Sequence, residues 1–294
     1  MSKKLSEIRV EIDSIDNQVH DLLMQRASLV SSVAAAKKKE GLQIVQPARE
    51  ARMMRRLLSR HEGPLPRSTI IRIWRELVGS VALLQSGFSV IVSEHSGQCM
   101  YWDIAKEYFG GTVPMRKETS HQVIFSDVLS DKKESFGVLP WPEAESVSPW
   151  WESLFHQDEH GETLSIICAL PYGQSQENSQ ARALVVSKVS FISSDLDMSF
   201  VALEVDTTVS RSRIGDVMQE VGLDVHNLYS GTSPNNTSHN LYLIEVDGFM
   251  DAHHENLKTI KNILGDKCLY CNAVGGYPVI PDINDTEKEP VEQV

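Results

Sequence analysis

Between Leu5 and Lys39 the apolar residues Ile8, Ile12, Ile15, Val19, Leu22, Leu29 and Val33 recur at spacings of four and three. This heptad stripe predicts one long amphipathic helix over residues 5–39 with a narrow seam to bury. A helix of about 35 residues exceeds what a single domain usually covers with its own core, so self-pairing around a two-fold axis is the simple solution. Between Leu22 and Leu29 the seam lands on Arg26. A guanidinium there is costly unless an anion pairs with it. An acidic side chain of the protein would serve, and a polar residue can also fix pairing register. Lys37 adds a third reading. At roughly 100° per residue it returns to within about 20° of Arg26, some 16 Å along the same face, so the two cations can converge on one small anion. Arg9 points about 100° away from Arg26 and fits a symmetry-related pocket better.

The 294 residues are 41% hydrophobic and 23% charged, which predicts two or three soluble domains. No apolar run reaches membrane length and the N-terminus is charged from its third residue, so neither an anchor nor a signal peptide is expected, and no membrane partner. Four cysteines (Cys99, Cys168, Cys268, Cys271) are few for this length and suit a reducing, cytoplasmic setting. Cys268 and Cys271 form a CxxC on a β-like run, where they would face opposite sides; with no second CxxC, no zinc site is expected. His156 and His160 have helical i, i+4 spacing but no indicated carboxylate or cysteine partner. Residues 1–86 hold 15 Lys+Arg against 9 Asp+Glu, while the chain as a whole is at −12. Those basic residues are not clustered on one exposed face, so a focused anionic pocket explains them better than nucleic acid does.

Gly41 ends the long helix, and a short irregular stretch runs to Gln46. Pro47 suits the first position of a second helix, with Glu50 near its positive end and Ala51, Met54, Leu57 and Leu58 on its apolar face. Gly63-Pro64-Leu65-Pro66 is a turn, after which Ser68 caps a third helix with the stripe Ile70, Trp74, Leu77, Val81. Gln85 continues that stripe and points an amide inward where leucine would be expected, either as a satisfied core amide or as a contact for a ligand.

Arg9, Arg26, Lys37, Pro47-Ala48-Arg49-Glu50 and Gln85, at this spacing over residues 5–86, resemble the all-helical (type II) chorismate mutase domain. The resemblance implies a three-helix domain forming an intertwined homodimer. It implies that Arg26, and Arg9 of the other subunit, bind the two carboxylates of chorismate. Lys37 and Gln85 would hydrogen-bond the ether oxygen whose bond breaks, Glu50 would hold the ring hydroxyl, and Arg49 would support the site beside it. Gln46 stands where the family often has an acid and Val81 where it often has serine; these secondary contacts bear on affinity more than on chemistry. The Claisen rearrangement needs no nucleophile or proton transfer, only a compact conformer and donors at the oxygen that gains charge, so no metal or cofactor follows.

Residues 87–189 alternate apolar runs with helical patterns and predict a small α/β domain: Phe88–Val92, Gln122–Phe125, Phe136–Pro140, Leu164–Leu170 and Ala183–Val186. Trp141, Trp150 and Trp151 lie in a Pro-rich connection and read as packing. Tyr108-Phe109-Gly110, the run from Phe136 to Glu143, and Asn178–Val185 resemble half of a prephenate dehydratase catalytic domain. Ala181, Arg182 and Ala183 stand where that family has Thr-Arg-Phe, so its essential hydroxyl is missing and a remnant without dehydratase activity is expected.

Residues 190–281 read as a further domain with a βαββαβ pattern over 196–280, with strands at Met198–Val205, Leu223–Tyr229, Asn240–Val246 and Leu269–Val274 and helices around Ile214–Val221 and Leu257–Leu264. Gly222–Ser230 and Gly275-Gly276-Tyr277-Pro278 resemble the ferredoxin-like ACT regulatory domain, which implies an amino-acid effector of open identity. The departures at Val209-Ser210-Arg211 and Gly231 imply that phenylalanine binds weakly or not at all. The tail 282–294 is acidic and reads as disordered.

Together these features point to a cytoplasmic, dimeric chorismate mutase acting in aromatic amino acid biosynthesis. Two rivals remain: a bifunctional mutase/dehydratase, and a non-catalytic helical dimerisation module with an amino-acid sensor.

Overall fold

A computed structural model describes residues 3–40, 43, 45–94, 100–130, 134–155, 162–173, 181–233 and 236–280. Gly41, Cys99, His156, His160, Asn178 and the tail 282–294 lie outside them.

The expected 5–39 helix is divided into α1 (Leu5–Ser28) and α2 (Val30–Glu40). Leu29 keeps helical dihedrals, but its amide bonds Arg26 O at 3.3 Å, a tightened turn. The Ser28 hydroxyl bonds back to Gln25 O at 2.8 Å, the local competition that makes serine a poor helix-interior residue. α1 buries no residue, and the whole apolar stripe is exposed, from 39% for Val33 to 63% for Leu22.

The helix α3 (Pro47–Ser59) starts at Pro47 as expected and buries Ala51, Met54 and Leu58. The helix α4 (Arg67–Ser86) differs from expectation twice. Its cap is Pro66, whose carbonyl accepts from Thr69 and Ile70, and Ser68 lies within the first turn. Its buried face is Ile71, Arg75, Gly79 and Ala82; Ile70, Trp74, Leu77 and Val81 are only half-buried. A glycine and an arginine carry no apolar signal, so the stripe visible in the sequence was not the most buried one.

The remaining described chain builds one ten-stranded mixed sheet: β1 (Ser89–Ser93), β2 (Met115–Glu118), β3 (Ser135–Pro140), β4 (Glu145–Val147), β5 (Ser165–Leu170), β6 (Ala183–Ser187), β7 (Asp197–Asp206), β8 (Val225–Ser233), β9 (Asn236–Asp247) and β10 (Cys268–Pro278), in the order β2-β1-β3-β6-β5-β10-β7-β9-β8-β4. The strands β2, β1 and β3 are parallel, and their connections are α5 (Met100–Phe109) and α6 (His121–Leu129). The run Gln122–Phe125, expected as a strand, lies in α6. Ser120 caps that helix by accepting from Val123 N, and four apolar residues cannot by themselves distinguish strand from helix. Trp150 and Trp151 are buried on a 3-10 turn (Trp150–Phe155) and pack as expected.

The second half runs β7, α7 (Arg211–Glu220), β8, β9, α8 (Glu255–Leu264), β10, with the four strands adjacent and antiparallel as β10-β7-β9-β8. Ile214, Val217, Leu257 and Ile260 bury one sheet face beneath the two helices. Where β10 meets β5, Gly275 pairs with Ile166. Its φ is +102°, and a Cβ there would lie 2.1 Å from the Ile166 carbonyl oxygen, so only glycine lets the backbones approach. A register shift between Cys268 and Tyr270 corrects the expected placement of the CxxC: past the bulge Cys268 packs against the same core as buried Cys271 instead of on the opposite face.

Candidate functional site

A cavity of about 210 Å³ lies between the end of α1, α2, the first turns of α3 and the last turns of α4. Arg26, Lys37, Gln46, Arg49, Glu50, Val81 and Gln85 all line it. Their distance in sequence is closed by the helix packing: α3 starts at Pro47, which puts Arg49 and Glu50 in its first turn, while α4 brings Val81 and Gln85 one turn apart. Leu29 and Val33 of the apolar stripe, with Met53 of α3, supply apolar wall. Arg9 is exposed on α1 and does not line this cavity.

Among the described residues Glu50 is the one acid in the wall, and it is 7% exposed. Its Oε2 accepts from Arg75 Nη1 at 2.7 Å, and Oε1 accepts from the Gln46 amide at 3.4 Å. With its charge matched by Arg75 behind it, the cations Arg26, Lys37 and Arg49 leave the cavity net positive, suited to a small dianion. Arg26 is half-buried and makes no ion pair among the described residues, contrary to the salt-bridge reading of a seam charge.

Burial pulls the Lys37 pKa below the usual lysine range, and the nearby Arg49 charge lowers it further; Glu50 and Glu134 oppose this. The Gln85 amide oxygen is buried with no hydrogen-bond partner. Turning the amide about its last torsion offers NH₂ at that position instead, so the residue is a ready donor or acceptor for a ligand. Arg75, the partner of Glu50, was not legible as part of a site: nothing in the sequence separates it from the surface arginines of α4. Among the described residues no group of three or more His, Cys, Asp or Glu is placed to hold a metal ion.

Residues 8–86 match the family model for chorismate mutase type II. The chain is 28% identical over 142 residues to the bifunctional chorismate mutase/prephenate dehydratase of Stutzerimonas stutzeri, an alignment covering 47% of this chain and 38% of that protein. It is 46% identical over 50 residues to the chorismate mutase of Methanocaldococcus jannaschii, 17% of this chain and half of the relative. The chain thus spans under two-fifths of the length of the bifunctional relative. Among solved structures, prephenate dehydratase from Streptococcus mutans is similar at a TM-score of 0.46 and 14% identity, covering 66% of this chain and 99% of that one. Over residues 8–86 the chain is similar to type II chorismate mutase domains, and a large mixed-sheet region follows that stretch.

Proposed function

We propose that the chain rearranges chorismate to prephenate. The observation that carries this is the convergence of Arg26, Lys37, Arg49, Glu50 and Gln85 on one cavity inside the mutase domain. Arg26 binds one substrate carboxylate, and Arg9 of a second subunit binds the other. Glu50 accepts from the ring hydroxyl and thereby selects the compact conformer, an entropic gain. Lys37 and Gln85 donate to the ether oxygen as the C–O bond opens, when that oxygen gains negative charge. The exposed apolar stripe of α1 supports a homodimer: a solvated row of this length is covered once two copies pair.

Protonated Lys37 is needed for this step. Because burial and Arg49 lower its pKa, kcat/KM should fall on the alkaline side at a lower pH than an ordinary lysine would give. Lys37→Arg keeps its charge to higher pH, so the falling limb should move upward in a pH–rate profile even if the rate is reduced. A limb that stays in place would assign it to another group.

The βαββαβ half is read as an ACT-type, ferredoxin-like regulatory domain, and residues 87–189 as a dehydratase-like remnant, both in a cytoplasmic enzyme. No helix among the described residues is long and apolar enough to cross a membrane. Ala181 and Ala183 flank Arg182, whose guanidinium stacks on Trp141 at 3.6 Å; neither neighbour offers a hydroxyl for dehydration. At the effector end, a Cβ on Gly231 would come within 2.6 Å of Pro149 and 2.9 Å of Trp151, so the space an arginine would need is filled by the chain itself.

One assay tests the set: chorismate loss with product identification, with and without phenylalanine, tyrosine or tryptophan. Prephenate alone is expected, unchanged by micromolar phenylalanine. No turnover sinks the mutase reading, and phenylpyruvate revives the bifunctional alternative. Inhibition by micromolar phenylalanine would place a working effector site in the second half.

A further inference from the structure

Arg75 sits on α4 of the mutase domain, yet two of the three residues that hold its guanidinium belong to the sheet region. Nη1 donates to Glu50 Oε2 (2.7 Å), and Nε donates to the Tyr108 carbonyl oxygen (2.6 Å) at the end of α5. The guanidinium carbon lies 3.8 Å from the centroid of the Tyr108 ring and 5.2 Å from that of Tyr172, just after β5. Arg75 is 3% exposed. A buried guanidinium is retained only where anion, carbonyl and π faces together replace water, and here the sheet region supplies all but the anion.

The helix cannot slide off this clasp. One turn on, a Cβ at Gly79 would lie 1.7 Å from the Phe109 carbonyl oxygen, so α4 touches the end of α5 backbone to backbone. Glu76 Oε2 accepts from Gly111 N at 2.8 Å beside it.

Glu50 has cations on its cavity side, where Arg26, Lys37 and Arg49 line the same wall and Glu134 lies near Lys37. A carboxylate there with no partner behind it would turn toward Lys37 and neutralise the charge needed at the ether oxygen. We propose that Arg75 is a positioning residue for the mutase pocket: clasped by Tyr108 and Tyr172, it holds Glu50 back from Lys37 and makes the sheet region a condition of mutase activity. This rests on the mutase function proposed above.

The test compares full-length wild type with Arg75→Met, Arg75→Lys, Tyr172→Leu and Arg72→Gln. Arg72 bonds Glu107 across the same helix contact but is largely exposed and does not line the cavity. Arg75→Met should lose roughly 100-fold in kcat/KM. Its alkaline limb should shift to higher pH, because a Glu50 turned onto Lys37 favours the charged ammonium. Arg75→Lys should recover about tenfold of the loss, Tyr172→Leu should move rate and limb in the same directions, and Arg72→Gln should change neither.

A folded Arg75→Met with unchanged kcat/KM overturns the proposal. So does a loss without the shift of the limb, which a merely structural role would give. If Arg75→Met does not fold, Arg75→Lys and Tyr172→Leu decide, and wild-type behaviour in both overturns it. A wild type that leaves chorismate unchanged is a different failure, of the mutase function itself, and removes this inference with it.

Discussion

Arg26→Ala should lower kcat/KM for chorismate about a thousandfold or more while the protein stays folded and keeps its oligomeric state. The guanidinium is half-buried at the cavity and forms no ion pair among the described residues, so its pairing capacity is free for a ligand. A planar guanidinium takes a carboxylate through two parallel bonds, and an arginine–carboxylate pair in a partly closed cavity is worth roughly 3–4 kcal/mol, which is two to three powers of ten in rate. Holding one end of a flexible dianion also restricts its conformers, and that contribution disappears with the same side chain. Stability should respond differently: deleting a charge that forms no ion pair among the described residues removes repulsion from Lys37 and Arg49, so the thermal midpoint should hold or rise slightly. Steady-state kinetics beside thermal unfolding checks both halves. Wild-type turnover by the alanine variant would show that Arg26 is a seam charge and nothing more.

Mixing two dead variants should restore activity. Arg9 lies outside the cavity of its own chain, seventeen positions before Arg26 and on a different side of α1. If two copies pair along the exposed stripe, each Arg9 reaches the other pocket. Arg9→Ala and Lys37→Ala homodimers then lack one essential group in every site. After joint unfolding and refolding, half of the dimers are mixed and each mixed dimer has one intact site, so about a quarter of wild-type activity returns. A refolded mixture as inactive as its parents would show that each site is built from one chain. Simple mixing without unfolding serves as the control, since an extensive helical interface exchanges slowly.

The pocket was more legible than the fold around it. Arg26, Lys37, Glu50 and Gln85 stand out because each breaks an apolar pattern or starts a helix, and a polar residue in an apolar frame is visible in one dimension. Arg75 does the same on α4, but its neighbours on that face are Ile71, Gly79 and Ala82, which form no strong stripe. The clasp around it comes from Tyr108 and Tyr172, whose approach depends on packing far along the chain. The Gln122–Phe125 run misled for a simpler reason: it is too short to show a period, and the Ser120 cap outweighed its composition. The packing of Cys268 and Cys271 against one core depends on one extra residue in a strand, which strict alternation cannot reveal. Short elements such as β2 and β4, with their half-exposed patterns, gave no run to find.

The join at Gly275 has a consequence for how the molecule is made. β10 is the final described strand, yet it lies inside the sheet between β5 and β7. As the chain emerges from the ribosome, β5 therefore waits with an open row of backbone donors and acceptors until β10 is synthesised. Loop closure over such a separation is slow, and an unpaired strand edge invites pairing with other nascent chains. A ribosome that stalls within α8 would release a product whose helical domain is complete but whose sheet is split at its centre, a natural target for chaperones.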